Sequence, residues 1–288
     1  MPRSIAPPPL PPRDPDSHKG TYGRVLVVAG ARAMPGAAVL AANGALRGGA
    51  GLVTVATPWS ALGSVAPAAP CATYAPLAES TAGFLDGRAL DPLLERAGAA
   101  DVVVVGPGLG QEDGTVALVR SFVRRLERPL GLDADGLNAI SDEPDAVAAR
   151  SFPTVLTPHP GELSRLDRQD APRGDEERRA RAAAAARRFG AVVCLKGHRT
   201  VVTDGDGTYV NDTGNPAMAT GGTGDVLAGL LGALVAQLDD PLDAAVVAVR
   251  VHGLAGDLAR ETHGPLSVIA TDLLQHLGPA FLRYGVER

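Results

Sequence analysis

Residues 213–235 read TGNPAMATGGTGDVLAGLLGALV, a glycine-rich loop that leads directly into an apolar helix. Glycines let the backbone turn tightly and approach a ligand without obstruction by side chains. The first turn of a helix carries unpaired N–H groups and the positive end of the helix dipole. The segment therefore predicts an anion hole that suits a phosphate group.

Asp225 stands at the mouth of this predicted anion hole, where its charge would repel a phosphate. The carboxylate fits better as a general base that takes a proton from a hydroxyl group beside the phosphate. An acidic residue at this position also fits a simple helix cap. We favour the base, because so glycine-rich a loop precedes the aspartate.

On either side of this loop, short apolar runs alternate with stretches rich in alanine and leucine. Continuous apolar runs are typical of strands buried on both faces of a parallel sheet. They predict strands at 25–29, 52–56, 102–105, 129–132, 154–156 and 191–195. The turn sequence at 204–207 predicts a hairpin between 200–203 and 208–210. We expect an α/β fold with a mainly parallel sheet, helices on both faces and an antiparallel edge.

The remaining segments set the expected domain boundaries. Residues 1–16 include repeated prolines, which block regular hydrogen bonding and predict a flexible arm. Residues 17–288 carry no composition break and predict one domain. Within that domain, residues 173–188 mix arginine, glutamate and alanine, which predicts a solvated helix away from any site.

The bulk composition argues against several classes of protein. With 27 Lys and Arg against 32 Asp and Glu, the net charge of −5 gives no long-range attraction for nucleic acid. No stretch reaches the roughly 18 apolar residues that a membrane-spanning helix needs, and the N-terminus lacks the apolar centre of a signal peptide. Cys71 and Cys194 show no metal-ligand spacing, and the apolar run around Cys194 predicts a buried free thiol. We expect a cytoplasmic protein with no membrane or nucleic-acid partner.

Small and polar residues follow several of the predicted strands. In open parallel sheets, ligands bind outside the carboxyl ends of the strands. We expect a site at this rim, formed by residues 30, 106–108, 133–135, 157–162 and 196–200. Asp133 in particular ends an apolar strand, so its charge needs a partner.

The loop and these strand ends together resemble a known family. Gly222-Thr223-Gly224-Asp225 resembles the anion-hole and base motif of ribokinase-like small-molecule kinases. The longer string at 213–229 is similar to one branch, the ADP/ATP-dependent NAD(P)H-hydrate dehydratases. Further segments match that branch in the same order: HKGTYG at 18–23, GAA at 36–38, ALRGGAGLV at 45–53, GPGLG at 106–110, LDADGLNA at 132–139, LTPHPGE at 156–162 and KGHRT at 196–200. The resemblance implies a ribokinase-like fold with three layers, helices on either side of the sheet.

The resemblance also implies a lyase that repairs nicotinamide cofactors. The expected reaction is ADP-dependent dehydration of the S epimer of hydrated NADH or NADPH, with release of AMP and phosphate. ATP is the alternative nucleotide, and Mg²⁺ is expected to shield the phosphate charge, with no protein metal ligands evident. The resemblance further suggests a homotetramer. A separate epimerase is expected to act on the same metabolite, because the chain is too short to hold both activities.

Residue roles follow from the resemblance by position. Asp225 is the expected catalytic base, and the backbone N–H groups of 222–224 are expected to stabilise the phosphate. The expected nucleotide-binding residues are Lys196, Gly197, His198, Arg199, Thr200, Gly222, Thr223 and Gly224. The expected contacts with the hydrated cofactor are Gly36, Ala37, Gly106, Gly108, Asp133, His159 and Asp225.

Several residues keep a second interpretation. Lys196 also fits an ordinary surface lysine after a strand, and the glycines at 106 and 108 also fit a plain turn. His159 also fits a hydrogen bond within its loop, and Glu162 fits a helix cap better than a water-mediated contact with a cation. Asp135 and Asn138 fit either orientation of substrate or helix capping.

Two other functions share much of this sequence evidence. A kinase for a small alcohol, such as a vitamin precursor, would use the same fold, anion hole and Asp225. A regulator that binds an adenine nucleotide without catalysis would keep the binding loops alone.

Overall fold

The computed structural model describes residues 3–285, and the strands between residues 3 and 210 form one continuous sheet. Its strands are β1 Arg3–Ser4, β2 Arg24–Val28, β3 Leu52–Pro58, β4 Thr73–Leu77, β5 Val102–Val105, β6 Leu130–Leu132, β7 Thr154–Leu156, β8 Val192–Leu195, β9 Val201–Thr203 and β10 Gly207–Val210. The helices are α1 Pro35–Arg47, α2 Leu62–Ala68, α3 Leu90–Gly98, α4 Asp113–Arg125, α5 Ala134–Ile140, α6 Asp145–Ala148, α7 Pro160–Asp167, α8 Gly174–Phe189, α9 Thr223–Val235, α10 Pro241–His263 and α11 Ala270–Tyr284.

The sheet is parallel at its centre and antiparallel near one edge, as the sequence predicts. The strand order is β1-β10-β9-β8-β7-β6-β5-β2-β3-β4. β2 pairs in parallel with β3 and β5, whereas β9 runs antiparallel to both β8 and β10. The apolar runs and the turn sequence locate β2, β3 and β5 to β10 to within one or two residues, whereas β1 lies in the segment predicted as a flexible arm. Strand β4 was not predicted, because its sequence TYAPL mixes polar residues and a proline with the apolar ones.

The side chains of the central strands alternate between two cores. Leu26 and Val28 of β2 belong to a buried cluster with Phe122 of α4 and Phe189 of α8. Val27, between them in sequence, belongs to a second cluster with residues of α1 and α9. This alternation follows the two-residue period of a strand. Helices therefore cover both faces, which confirms the predicted three-layer α/β architecture.

Helices α1 and α9 touch through their backbones. A Cβ atom built on Gly229 of α9 would lie 1.9 Å from the carbonyl oxygen of Ala41. A Cβ atom on Gly44 of α1 would lie 2.5 Å from the carbonyl oxygen of Val226. Neither contact leaves room for a side chain, so these glycines fix the separation of the two helices. The N-terminus of α9 is thereby held beside the first half of α1.

The proline-rich segment lies along the folded chain, whereas the sequence predicts a flexible arm. Arg3 and Ser4 pair in parallel with β10, and the hydroxyl group of Tyr284 donates to the carbonyl oxygen of Pro8. Nη2 of Arg13 donates to the carbonyl oxygen of Gly49 at 2.8 Å, and its guanidinium stacks over the Tyr22 ring. The prolines do prevent a longer strand, but side-chain and carbonyl contacts do not need a regular backbone.

Helix α8 is also more buried than the predicted solvated helix. Its alanines at 182, 183, 185 and 186 are buried, together with Phe189. Arg181 is buried with them and pairs with Asp167, whose carboxylate accepts a hydrogen bond from Nη2 at 2.6 Å. The run of alanines lets the helix pack closely on the sheet, and Arg181 is a buried charged residue on that side, neutralised by its pairing with Asp167.

Two further expectations concern the cysteines and the membrane. Cys194 is a buried free thiol, as the sequence predicts, and burial raises its pKa to about 12. Cys71 is an exposed free thiol. Among the helices within residues 3–285, none has both the length and the apolar character required to cross a bilayer.

Candidate active site

The glycine-rich loop ends where helix α9 begins, and Asp225 lies in the first turn of that helix. Gly222 is the residue before the helix and has a φ of +91°, in the left-handed region that glycine adopts readily. The N-cap residue is Gly222, which has no side chain, and Asp225 is the acidic residue of the first turn. Asp225 therefore does not occupy the N-cap position that a simple helix cap requires. Its carboxylate is left available for other chemistry.

Lys196 and two carboxylates form a charged cluster beside this helix end. Nζ of Lys196 lies 2.5 Å from Oδ1 of Asp133 and 3.8 Å from Oε2 of Glu162. The hydroxyl group of Thr157 also donates to Oδ1 of Asp133, at 2.8 Å. Asp133 is only 2% exposed, so these contacts provide the partners that its position after an apolar strand requires. Lys196 is thus not an ordinary surface lysine.

The same cluster lies next to the first turn of α9. A Cβ atom on Gly224 would lie 3.7 Å from Nζ of Lys196 and 3.8 Å from Oδ2 of Asp133. The neighbouring carboxylates favour the charged form of Lys196 and, although burial opposes it, raise its pKa. A lysine that is paired with two carboxylates therefore lies beside the N-terminal end of a helix, whose unpaired N–H groups favour an anion.

The environment of Asp225 raises its pKa to about 7. Burial is the largest cause, because it disfavours the charged carboxylate. The negative charges of Asp133 and Asp135 add to the increase, and the positive charge of Lys196 opposes it. A carboxylate with a pKa near neutral pH is well matched to general-base catalysis.

A cavity of about 410 Å³ opens between the end of β8, the glycine-rich loop and helices α9 and α10. Its walls include every residue of the predicted nucleotide loop, Lys196, Gly197, His198, Arg199 and Thr200, together with Thr223 and Gly224. Among the described residues, Gly222 and Asp225 are not part of its lining. Lys196 lines the cavity and contacts Asp133, so it stands between the cavity and the acidic cluster.

The glycines after β5 are needed by the protein backbone itself. A Cβ atom on Gly106, where φ is +138°, would lie 1.7 Å from the carbonyl oxygen of Asp133. A Cβ atom on Gly108, where φ is +64°, would lie 2.7 Å from Cβ of Ala37. Close packing thus accounts for both glycines without a ligand. Gly36 differs, because it is exposed and has open space around its Cβ position. Contact with the hydrated cofactor stays a prediction for Gly36, Ala37, Gly106 and Gly108.

His159 and Glu162 cap helix α7 reciprocally. Nδ1 of His159 accepts hydrogen bonds from the backbone N–H groups of Gly161 at 3.0 Å and Glu162 at 3.3 Å. Oε2 of Glu162 accepts from the backbone N–H of His159 at 2.7 Å. The loop hydrogen bond given above as the alternative for His159 and the helix cap favoured for Glu162 are therefore both present. The side chain of His159 is half exposed, and its contact with the hydrated cofactor stays a prediction.

Asp135 and Asn138 do not cap helix α5, although the sequence allows that role. Oδ2 of Asp135 accepts from the backbone N–H of Gly110 at 2.8 Å, which ties α5 to the loop after β5. Oδ1 of Asn138 accepts from Nε of Arg165 at 2.9 Å, which ties α5 to α7. The residue before α5 is Asp133, whose side chain makes no capping bond.

Sequence reasoning missed the residues of α10 that hold the glycine-rich loop. Asp257 accepts hydrogen bonds at 2.9 Å from Nδ2 of Asn215 and from the backbone N–H of Gly214. Nε2 of His252 lies 2.9 Å from the carbonyl oxygen of Thr223. Burial lowers the pKa of His252 to about 4, so the ring is neutral and Nε2–H donates this bond. The sequence signal that could have identified these residues is that His252 and Asp257 are polar residues within the mostly apolar run of α10.

Comparison with known proteins agrees with the motif series. A family model described as NAD(P)H-hydrate dehydratase matches residues 25–278, most of the chain. The chain belongs to this family. Among curated members of the NAD(P)H-hydrate dehydratase family, it is 45% identical over 275 residues to a bifunctional NAD(P)H-hydrate repair enzyme from Moorella thermoacetica, covering 95% of this chain and 52% of the relative. It is 35% identical over 278 residues to an ADP-dependent (S)-NAD(P)H-hydrate dehydratase from Bacillus subtilis, covering 96% of this chain and 95% of the relative.

Solved structures agree with the family membership and with the fold. An ADP/ATP-dependent NAD(P)H-hydrate dehydratase from Bacillus subtilis, co-crystallised with ATP and Mg²⁺, matches with a TM-score of 0.78 and 33% identity, covering 96% of this chain and 94% of that one. A ribokinase-like superfamily protein from Enterococcus faecalis matches with a TM-score of 0.82 and 28% identity, covering 96% and 92%. The ribokinase-like fold is thus confirmed. The chain spans about half the length of the first bifunctional relatives that it matches.

Proposed function

We propose that this chain catalyses ADP-dependent dehydration of the S epimer of hydrated NADH or NADPH, and so repairs nicotinamide cofactors. Family membership supports this activity class, and the name of the Bacillus subtilis relative supports both the epimer and the nucleotide. The observation that carries the proposal is the position of Asp225. Its carboxylate lies in the first turn of α9, beyond the N-cap residue Gly222, and its environment raises its pKa to about 7.

The first step of the proposed reaction is transfer of a phosphoryl group. Asp225 takes the proton from the hydroxyl group on the hydrated nicotinamide ring, and that oxygen attacks the β-phosphorus of ADP. The bond from the β-phosphorus to the oxygen that bridges the two phosphates breaks, and AMP leaves. The N–H groups of residues 222–224 and the charge of Lys196 stabilise the negative charge on the transferring group.

The second step is elimination of phosphate. The lone pair of the ring nitrogen expels the phosphorylated oxygen together with its electron pair, because phosphate is a far better leaving group than hydroxide. Loss of a proton from the neighbouring ring carbon then restores the dihydronicotinamide. A kinase-like site therefore provides the energetically demanding part of a dehydration.

The nucleotide is assigned to the cavity lined by residues 196–200. Its volume of about 410 Å³ is suitable for a small ligand, and it extends from the β8 loop to Thr223 and Gly224. Mg²⁺ fits as an ion held mainly by the nucleotide phosphates and water. In the described part of the chain, no three Asp, Glu, His or Cys side chains are grouped to hold a metal, and Lys196 already pairs with Asp133.

The test is recovery of dihydronicotinamide absorbance from hydrated NADH in the presence of ADP or ATP. We expect recovery with at least one nucleotide, release of phosphate in equal amount, and ADP as the better nucleotide. Asp225→Asn keeps the shape of the side chain and removes the base, so turnover should fall by roughly 10²–10⁴-fold. Nucleotide binding should be retained, as titration calorimetry would check.

Two other outcomes would replace the proposal. No recovery with either nucleotide, together with phosphorylation of a small alcohol such as a vitamin precursor, would indicate a kinase. Nucleotide binding without turnover of any substrate would indicate a regulator. A homotetramer, a cytoplasmic location and a separate epimerase remain further proposals from the family resemblance, to be tested by light scattering, cell fractionation and a coupled assay.

A further inference from the structure

Helix α8 contacts the nucleotide loop through the side chain of Arg178. Nη2 of Arg178 donates to the carbonyl oxygens of Leu195 at 3.3 Å and Lys196 at 3.2 Å. Nη1 donates to the carbonyl oxygen of His198. One guanidinium therefore holds three carbonyl groups of a turn that lines the cavity. The sequence motifs contain no residue of α8, and the helix was expected to lie away from the site.

These contacts determine where the amide groups of the turn point. A trans peptide is planar, and its C=O and N–H point in opposite directions. The carbonyl groups of Lys196 and His198 face Arg178, so the next N–H groups, those of Gly197 and Arg199, face away from it. Within residues 3–285, neither of these N–H groups donates to a backbone carbonyl group. Both residues line the cavity.

The backbone conformation of the turn agrees with this orientation. Gly197 has a φ of +135° and Arg199 a φ of +56°, which is uncommon for a residue with a side chain. N–H groups in turns of this kind form concave sites that bind anions. A Cβ atom on Gly197 would lie 3.0 Å from Nη2 of Arg178, so the glycine lets the guanidinium lie directly beneath the turn.

The charge of Arg178 favours an anion at the same place. All its hydrogen bonds go to carbonyl oxygens, and no carboxylate within the described residues forms an ion pair with it. Asp175, one turn earlier in α8, pairs instead with Nη1 of Arg199 at 3.1 Å. Within that part of the chain, Arg178 therefore has no direct ion-pair partner, although the Asp175 carboxylate lies near enough to favour its charged form.

We propose that Arg178 is a positioning residue, which orients the N–H groups of Gly197 and Arg199 toward the phosphates of the adenine nucleotide. The identity of the nucleotide rests on the function proposed above. Arg178 does not line the cavity, so it acts through the turn and not by direct contact with the ligand.

The test compares ADP binding by the unmodified protein and by Arg178→Ala, Arg178→Lys and Arg179→Ala. Arg179 is the matched control, because it is exposed and its Nε donates only within α8, to the carbonyl oxygen of Asp175. We expect Arg178→Ala to weaken ADP binding and raise the KM for ADP by about tenfold, the loss of roughly one strong interaction. In Arg178→Ala, the KM for the hydrated cofactor should change less than about twofold. Arg179→Ala should have the same ADP affinity and the same KM values as the unmodified protein.

Arg178→Lys keeps the charge but lacks the planar fork that reaches several carbonyl groups. The ADP affinity of this variant should lie between those of the unmodified protein and Arg178→Ala. If circular dichroism shows that Arg178→Ala does not fold, Arg178→Lys provides the test. Equal ADP affinity in the unmodified protein and a folded Arg178 variant would overturn the inference. So would equal increases in both KM values, which indicate general damage.

The two proposals fail in different ways. No recovery of dihydronicotinamide absorbance by the unmodified protein would overturn the proposed reaction, while the ADP titration would still decide the role of Arg178. No ADP binding by the unmodified protein would overturn both proposals.

Discussion

The ionisation of the Asp225 carboxylate depends on charges that other segments bring to it. Asp133 follows β6 and raises the pKa of Asp225, whereas Lys196 follows β8 and lowers it. Burial contributes most to the final value of about 7. Because the base must be deprotonated to accept a proton, activity should increase as the pH rises toward neutrality.

The pH dependence of kcat/KM provides a test at the residue scale. We expect the rate to rise with pH below about 7 and to level off above it, following the pKa of Asp225. Asp133→Asn removes a neighbouring negative charge, so the pKa of Asp225 should fall and the rising limb should move to lower pH by roughly one unit. Steady-state kinetics between pH 5 and 9, an interval of about four units around the titration, would measure the rising limb of the unmodified protein and that of Asp133→Asn.

Asp142→Asn is the control for this shift. Asp142 is an exposed aspartate that pairs with Arg120 on another part of the surface, so the same change should leave the limb in place. A limb that does not move in Asp133→Asn, or that moves to higher pH, would contradict the electrostatic account of Asp225.

At the scale of secondary structure, the anion hole depends on how α9 rests against α1. The two backbones touch at Gly229 and Gly44, where no side chain fits. Helix α9 therefore carries both the packing contact at Gly229 and, in its first turn, the proposed base Asp225. Any change that separates the two helices should also displace Asp225.

Gly229→Ala tests this contact. The added methyl group would meet the carbonyl oxygen of Ala41, so the free energy of unfolding should fall by roughly 1–3 kcal/mol. We expect kcat to fall as well. Gly63→Ala in α2 is the control, because its Cβ position is free of neighbours and the free energy of unfolding should change by less than about 1 kcal/mol. Urea denaturation would compare the two, and equal effects would argue against the contact.

At the scale of the whole molecule, the N-terminal segment and the active site lie at opposite ends of α9. Arg13 donates to the carbonyl oxygen of Gly49 and to Oε1 of Gln237, just beyond the C-terminal end of α9. At 1.5 Å of rise per residue, the distance along the helix from Gln237 to Asp225 is roughly 18 Å. The segment should therefore affect stability without affecting the chemistry.

Removal of residues 1–16 is the corresponding prediction. We expect the midpoint of thermal unfolding to fall by roughly 2–8 °C, because the contacts of β1, Leu10 and Arg13 are lost. The values of kcat and KM should stay within about twofold. Leu10→Asp should lower the midpoint by a smaller amount. An unchanged midpoint in both variants would instead favour the flexible arm that the sequence predicts.

The sequence was sufficient for most of the architecture and for the predicted nucleotide loop that lines the cavity. Apolar runs locate the central strands, because a strand buried on both faces must be apolar along its whole length. The ordered motifs also predict the residues that meet at the cavity and beside Asp225. These features depend on local composition and on spacing along the chain, which a single sequence displays directly.

Other features depend on residues that are distant in sequence and become neighbours only in the folded chain. The pairing of Lys196 with Asp133 joins two strand ends that are 63 residues apart, and Arg178 reaches its loop from a helix with no motif. The need for glycine at position 106 could not be predicted for the same reason, because the atom that leaves no room for a side chain there is the backbone oxygen of Asp133. Local patterns determined which elements form, and their packing decided which charges meet, because electrostatic coupling acts through space and not along the chain.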